Sequence, residues 1–329
     1  MEVLKQVAII ILLLSMLIAP YTTASNGNGL VVVVTFPFLY NDVKKLVCQG
    51  DSVLLLVKPG IDPHEYQLTP SDIDTLKVAS LVISTAHAPF ELQIEKLVAS
   101  GELNAALVEI TKIPGIIFLK HPQTGQINYH AVIFYPKNYE VFIRYVENVL
   151  ETLRPECSNV YRENAKTLLA ELTQLTNNTR RLPGYIAVID TPPIQYVAAW
   201  LDLNISYILL RDEETPVTPQ DYQNVENIIK TSKNVVVLVT QGSTASSKLE
   251  EMARTYGKPF VELPNPLVYN GTLDYLEKVS QIINNANLIT NTKTSVAEAH
   301  TNLYTITTII AISILVIALV VFAVKKRVV

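Results

Sequence analysis

Five histidines occur in this chain, and His64 has the most organised surroundings, in the loop 59–72, Pro-Gly-Ile-Asp-Pro-His-Glu-Tyr-Gln-Leu-Thr-Pro-Ser-Asp. Its prolines and glycine restrict the backbone, so an imidazole there is held ready for metal ligation or proton transfer. The neighbours Asp62, Glu65 and Asp72 raise metal-assisted hydrolysis, which needs a carboxylate aimed at metal-bound water. The simpler assignment for them is to cap turns and the following helix. Tyr66 suits either an aromatic wall of a site or a core position. His87 and His121 fall in other predicted loops, where either could be recruited as a donor, and His300 reads as solvated. No His-Glu-x-x-His pair, Gly-Lys-Ser/Thr phosphate loop or Gly-x-Ser-x-Gly elbow is present, so the enzyme classes that depend on them are disfavoured.

The elements that must position His64 are legible from patterning. From Gly29, Leu-Val-Val-Val-Val-Thr is an unbroken β-branched run, which needs cover on both faces and so predicts a buried parallel strand. Residues 36–47 read as loop and helix. A second strand, 53–57, delivers the chain to the His64 loop at its carboxyl end, where open α/β sheets bind ligands. Ser71 is a candidate cap for the next helix, with Leu76 and Val78 among its apolar positions. Strands at 81–84 and 105–110 and a helix at 91–100 follow, then a polar excursion (116–128) leading into Tyr129-His130. Helical spacing recurs at 138–150 and 157–175, the latter free of glycine and proline and predicted to span two lobes. A second alternating series runs from 185 to 284. With 329 residues and 49% hydrophobic content, the chain is long enough for two lobes, each burying a core of its own.

Apolar runs mark both ends. Residues 7–19 follow Lys5 and precede small polar residues, the layout of a secretory signal cleaved near Ala24 or Ser25, with an uncleaved anchor as the rival reading. Residues 303–324 carry no charge and would reach roughly 33 Å as a helix, enough to cross a hydrocarbon core. Lys325, Lys326 and Arg327 follow, which predicts a cytoplasmic tail (325–329) and a large extracellular portion. Three sequons, at Asn177, Asn204 and Asn270, lie in that portion. The two cysteines, Cys48 and Cys157, are predicted to form a disulfide there. A net charge of −4 offers no basic footprint for nucleic acid.

Residues 30–284 resemble the extracellular solute-binding proteins of zinc and manganese ABC importers, the TroA-like family. The resemblance rests on Val-Val-Thr-Phe-Pro-Phe-Leu-Tyr, on the Asp-Pro-His loop, and on Asn128-Tyr-His-Ala-Val-Ile-Phe-Tyr-Pro. It implies an α/β fold of two lobes, each a small, mostly parallel sheet flanked by helices, joined by a long helix. It also implies His64 and His130 as metal ligands. The family's third ligand, a histidine, meets Thr191 with Asp190 one residue away, so Asp190 is the expected replacement; its fourth, an aspartate, meets Asn265.

The expected organisation is a signal (1–25), a first lobe (29–156), a linking helix (157–183), a second lobe (184–288), a tether (289–302), a membrane helix (303–324) and a tail. The implied function is non-enzymatic: capture of zinc or manganese between the lobes, outside the cell membrane, for an ABC permease and its ATPase. Thr191 and Asn265 also suit a cell-surface interaction or sensory protein that keeps the fold without metal binding.

Overall fold

A computed structural model describes residues 29–210 and 216–288. The predicted signal, tether, membrane helix and tail lie outside them, and among the described residues no helix is long and apolar enough to cross a membrane.

The first lobe contains β1 (Val31–Val34), α1 (Pro37–Leu46), β2 (Ser52–Leu55), α2 (Pro70–Lys77), β3 (Leu81–Ser84), α3 (Pro89–Ala99) and β4 (Ala106–Glu109). The strands form a parallel sheet in the order β2-β1-β3-β4. Val32, Val33 and Val34 are fully buried, as a β-branched run covered on both faces requires. The second lobe contains β7 (Ile186–Ile189), α6 (Ile194–Trp200), β8 (Asn204–Ile208), α7 (Pro219–Thr231), β9 (Val235–Thr240), α8 (Ser246–Thr255), β10 (Phe260–Leu263) and α9 (Thr272–Asn285). Its parallel sheet is ordered β10-β9-β7-β8, so each lobe places its first and third strands side by side at the centre. A connection that reverses direction there opens a crevice beyond the carboxyl ends of the strands.

Between the sheets come a short antiparallel hairpin, β5 (Leu119–Lys120) and β6 (Ile127–Asn128), then α4 (Pro136–Leu153) and α5 (Ser158–Asn178). The hairpin lies in the segment read from sequence as a polar excursion. In α5 the buried residues Tyr161, Ala165, Leu168 and Leu172 recur at helical spacing, facing α4, α1 and α9.

Separate cores were expected, but one apolar cluster runs from Leu30 to Leu288 and takes in residues of both sheets, Val33 and Ile83 with Ile189 and Leu238. Among the described residues, a second cluster lies on the second sheet, around Val188, Val225 and Leu249. Polar contacts join the lobes as well. Asp42 of α1 accepts from the backbone N–H groups of Thr272 and Leu273 (2.6 and 3.4 Å), capping α9 from the other lobe. Asn41 donates to Asp274 at 2.7 Å.

The predicted disulfide, Cys48–Cys157, links the end of α1 to the start of α5 across 109 residues. Beside it Asp51 is a buried hub, accepting from Arg154 Nη1 (2.6 Å), Tyr161 Oη (2.7 Å) and the Leu30 and Cys48 N–H groups (2.8 and 3.0 Å).

Candidate metal centre

Three histidines converge where the first lobe faces the second. One ring nitrogen from each of His64, His87 and His130 lies within 4.8 Å of the others, and all three residues are half-buried. His87 Nε2 and His130 Nε2 stand 3.0 Å apart. Two nitrogens on a tetrahedral zinc ion, each at 2.0–2.1 Å from it, would be about 3.3 Å apart, close to the separation of this pair.

Each histidine is delivered by a different loop. His64 follows β2, in a turn where Asp62 Oδ1 accepts from the His64 N–H at 2.9 Å. Behind it, the helix cap is Thr69 rather than Ser71: Thr69 and Asp72 form a reciprocal capping box at the start of α2. Tyr66 donates to Asp72 at 2.8 Å and packs edge-on against Phe90, so it belongs to the support of the loop. Asp62 and Asp72 thus serve as caps, and Glu65 is exposed.

His87 follows β3 and is pinned by Glu91, whose carboxylate accepts from the N–H groups of Thr85, His87 and Ala88 and from the hydroxyls of Thr35 and Thr85. Ala86, just before it, has φ +58°, an uncommon backbone state for a residue with a Cβ. Burial, reinforced by the nearby His64, holds the His87 imidazole below its ordinary pKa and so favours the neutral, ligating form.

His130 leaves the hairpin and precedes Ala131, at φ +53°. Its Nδ1–H donates to Asn128 Oδ1 at 2.9 Å, which turns the Nε2 lone pair toward the other two rings. The Asn128 amide N–H groups donate across the lobes to the Pro192 carbonyl and to Gln195 Oε1, both at 2.8 Å, and Tyr196 Oη donates to the Asn128 carbonyl at 2.6 Å. One asparagine therefore orients a histidine and fixes it to the second lobe.

Asp190, the expected third donor, does not join the group. It is fully buried, and its carboxylate accepts from the Thr240 N–H (2.9 Å) and from the hydroxyls of Thr240 and Thr191 (3.3 Å each). Burial raises its pKa, against those hydrogen bonds. Thr191 lines the site in its place, its hydroxyl donating back to the buried Asp190 carboxylate. From sequence His87 is a loop histidine that could be recruited as a donor, and the structure brings it, unlike His121, into the group. His121 is buried in the hairpin, its Nδ1 accepting from Gln123 and Thr124 N–H groups.

The three histidines open onto a cavity of about 390 Å³ between the carboxyl ends of the two sheets. Phe36, Phe38, Phe134 and Leu267 supply apolar wall, and Thr191, Thr240, Gln241, Ser243, Thr244 and Asn265 face the histidines' lobe from the second. No charged residue is among the described residues that line it.

Residues 32–298 match the model of the family described as "ZnuA: Zinc-uptake complex component A periplasmic". The chain belongs to this family. Similar proteins include the manganese-binding lipoprotein MntA of Halalkalibacterium halodurans, 26% identical over 46% of this chain and 49% of MntA, so that this match spans about half of the relative. The iron-binding protein YfeA of Yersinia pestis is 25% identical over 66% of this chain and 70% of its own length. A metal-binding protein of Thermotoga maritima, itself described as putative, is 27% identical over 76% and 88%. Among solved structures, ZnuA superposes with a TM-score of 0.64 at 23% identity, over 79% of this chain and 99% of ZnuA, which extends the ZnuA fold to both lobes.

Proposed function

We propose that this protein is the solute-binding component of a metal ABC importer, holding a divalent transition metal between its lobes at His64, His87 and His130 and passing it to a permease and its ATPase. The observation that carries the reading is the convergence of three ring nitrogens, from three separate loops, at the crevice between two parallel sheets. Family membership supports the transport role, and relatives named for manganese and iron support a transition-metal cargo. Asp190 has a supporting part, holding Thr191 and Thr240 in the opposite wall. No catalytic step is assigned: Asp62 and Asp72 serve as caps, and Glu65 is exposed.

Imidazole suits zinc and its neighbours late in the first transition row better than manganese, which favours carboxylate oxygen. Calorimetric titration of the metal-free protein with Zn²⁺ and Mn²⁺ tests the proposal. One saturable Zn²⁺ site, weakened in each of His64→Ala, His87→Ala and His130→Ala, is expected. A protein that takes up neither ion would be the cell-surface interaction module that keeps the fold alone.

A further inference from the structure

The two central strands of the second sheet bring three polar side chains together at their carboxyl ends. Asp190 and Thr191 follow β7, and Thr240 ends β9, its neighbour in the sheet. Asp190 is fully buried, whereas Thr191 and Thr240 line the cavity that the histidines share. One carboxylate oxygen of Asp190, Oδ2, accepts from the Thr240 N–H at 2.9 Å. The other, Oδ1, stands 3.3 Å from each threonine hydroxyl, and the two hydroxyl oxygens are 3.0 Å apart.

Counting protons fixes the direction of these bonds. An ionised carboxylate only accepts, and each hydroxyl has a single proton to give. At least one of the two hydroxyl protons goes to Asp190, and the other goes to Asp190 or to the neighbouring hydroxyl. Both are therefore used inside the cluster, and each hydroxyl oxygen keeps a lone pair on a residue that lines the cavity. Burial opposes ionisation of Asp190, while hydrogen bonds from Thr240, Ser243 and Thr191 favour it. A cation in the cavity favours it further.

We infer that Asp190 is a positioning residue for the cargo: it makes the hydroxyls of Thr191 and Thr240 an acceptor-only pair, which receives hydrogen bonds from water carried by the metal and offers no proton to an anion. This rests on the assignment of the three histidines as the metal's protein ligands. The second lobe then contributes to selection by the polarity of its wall, favouring a hydrated divalent cation over a free carboxylate. Asp190→Asn reverses that polarity. Its amide keeps one oxygen for the Thr240 N–H and turns its NH₂ toward the hydroxyls, which accept from it and release at least one proton to the cavity. Replacing both threonines by valine removes the hydroxyls with little change of shape.

The experiment titrates the metal-free full chain with Zn²⁺ at buffered free concentrations, for the parent, Asp190→Asn, the pair Thr191→Val/Thr240→Val, and all three changes together. Asp190→Asn should weaken Zn²⁺ binding by about 10- to 100-fold, as loss of a group that orients a metal's surroundings does. The valine pair should lose about tenfold or more, and in that background Asp190→Asn should cost no more than about twofold further, because it acts through the hydroxyls. Acetate is then added to the Co²⁺-loaded proteins and the visible absorption followed. A spectral shift should appear at a concentration about tenfold lower in Asp190→Asn than in the parent, a difference that mere loosening of the wall does not predict. Equal Zn²⁺ affinity in parent and Asp190→Asn, losses that add in the triple variant, or the same acetate response in both proteins would overturn the inference and leave metal capture standing. If Asp190→Asn does not fold, the valine pair decides: its affinity loss sustains the acceptor pair, and unchanged affinity overturns it. Absence of Zn²⁺ binding by the parent would remove the metal assignment itself, and this inference with it.

Discussion

Asp42 offers a sharp quantitative test of the packing between the lobes. Its carboxyl is fully buried, and burial raises its pKa from 3.8 to about 7, with Asp274 adding to the rise and the Thr272 and Leu273 N–H groups opposing it. The folded protein therefore keeps a proton at Asp42 that the unfolded chain releases above about pH 4. Between about pH 4 and pH 7 the native state binds more protons than the unfolded state, so this residue makes stability fall as pH rises. The slope approaches 1.4 kcal/mol per pH unit, and over the interval the loss sums to about 4 kcal/mol, levelling off above pH 7. Asp42→Asn removes the titration and keeps an oxygen to accept from Thr272. Urea unfolding of both proteins at intervals from pH 4.5 to 8 is the assay. The two should be nearly equal at the acid end, with the variant ahead by up to about 4 kcal/mol at the alkaline end. Parallel curves would refute the assignment of a neutral carboxylic acid at this contact.

Other substitutions probe the frame around the site. Arg154→Met strands the Asp51 carboxylate without its buried ion pair and should lower unfolding stability by about 3–5 kcal/mol, read by urea melts. Removing the Cys48–Cys157 bridge by double serine substitution frees a 109-residue loop and should cost about 4–5 kcal/mol in the same assay. Glu91→Gln brings an amide N–H among the donors that hold residues 85–88. It should lose about 1–3 kcal/mol of stability and weaken Zn²⁺ binding by about 10- to 100-fold, measured by melts and calorimetry.

Much of the fold was legible because its strands are apolar runs without internal punctuation and its helices keep their spacing. Leu81 to Ser84 and Val235 to Thr240 are buried along their whole length and admit little else. The two-residue strands of the hairpin leave no such periodic signal, and their role appears only in the contacts of Asn128 and Gln195 across the lobes. The common core was hidden for the same reason, since apolar patterning tells which face of an element is buried but not which partner covers it. At the candidate site, His64 and His130 carried motif context, whereas His87 meets them only through the juxtaposition of β2 and β3 on either side of β1. Asp190 and Thr191 differ by one position in sequence, yet only Thr191 lines the cavity while Asp190 is fully buried behind it.

The cap on α9 also bears on how the chain reaches this structure. The N–H of Thr272 finds its acceptor 230 residues earlier, on the first helix of the other lobe, and Gly271 at the helix start has no side chain to replace it. Such a pairing closes one of the longest loops in the chain, and contacts of high sequence separation form slowly. The last helix should therefore be a late-settling element, frayed at its first turn until the first lobe has taken shape. Pulse-labelled amide exchange during refolding would then show Thr272 and Leu273 gaining protection after the strands of the first sheet.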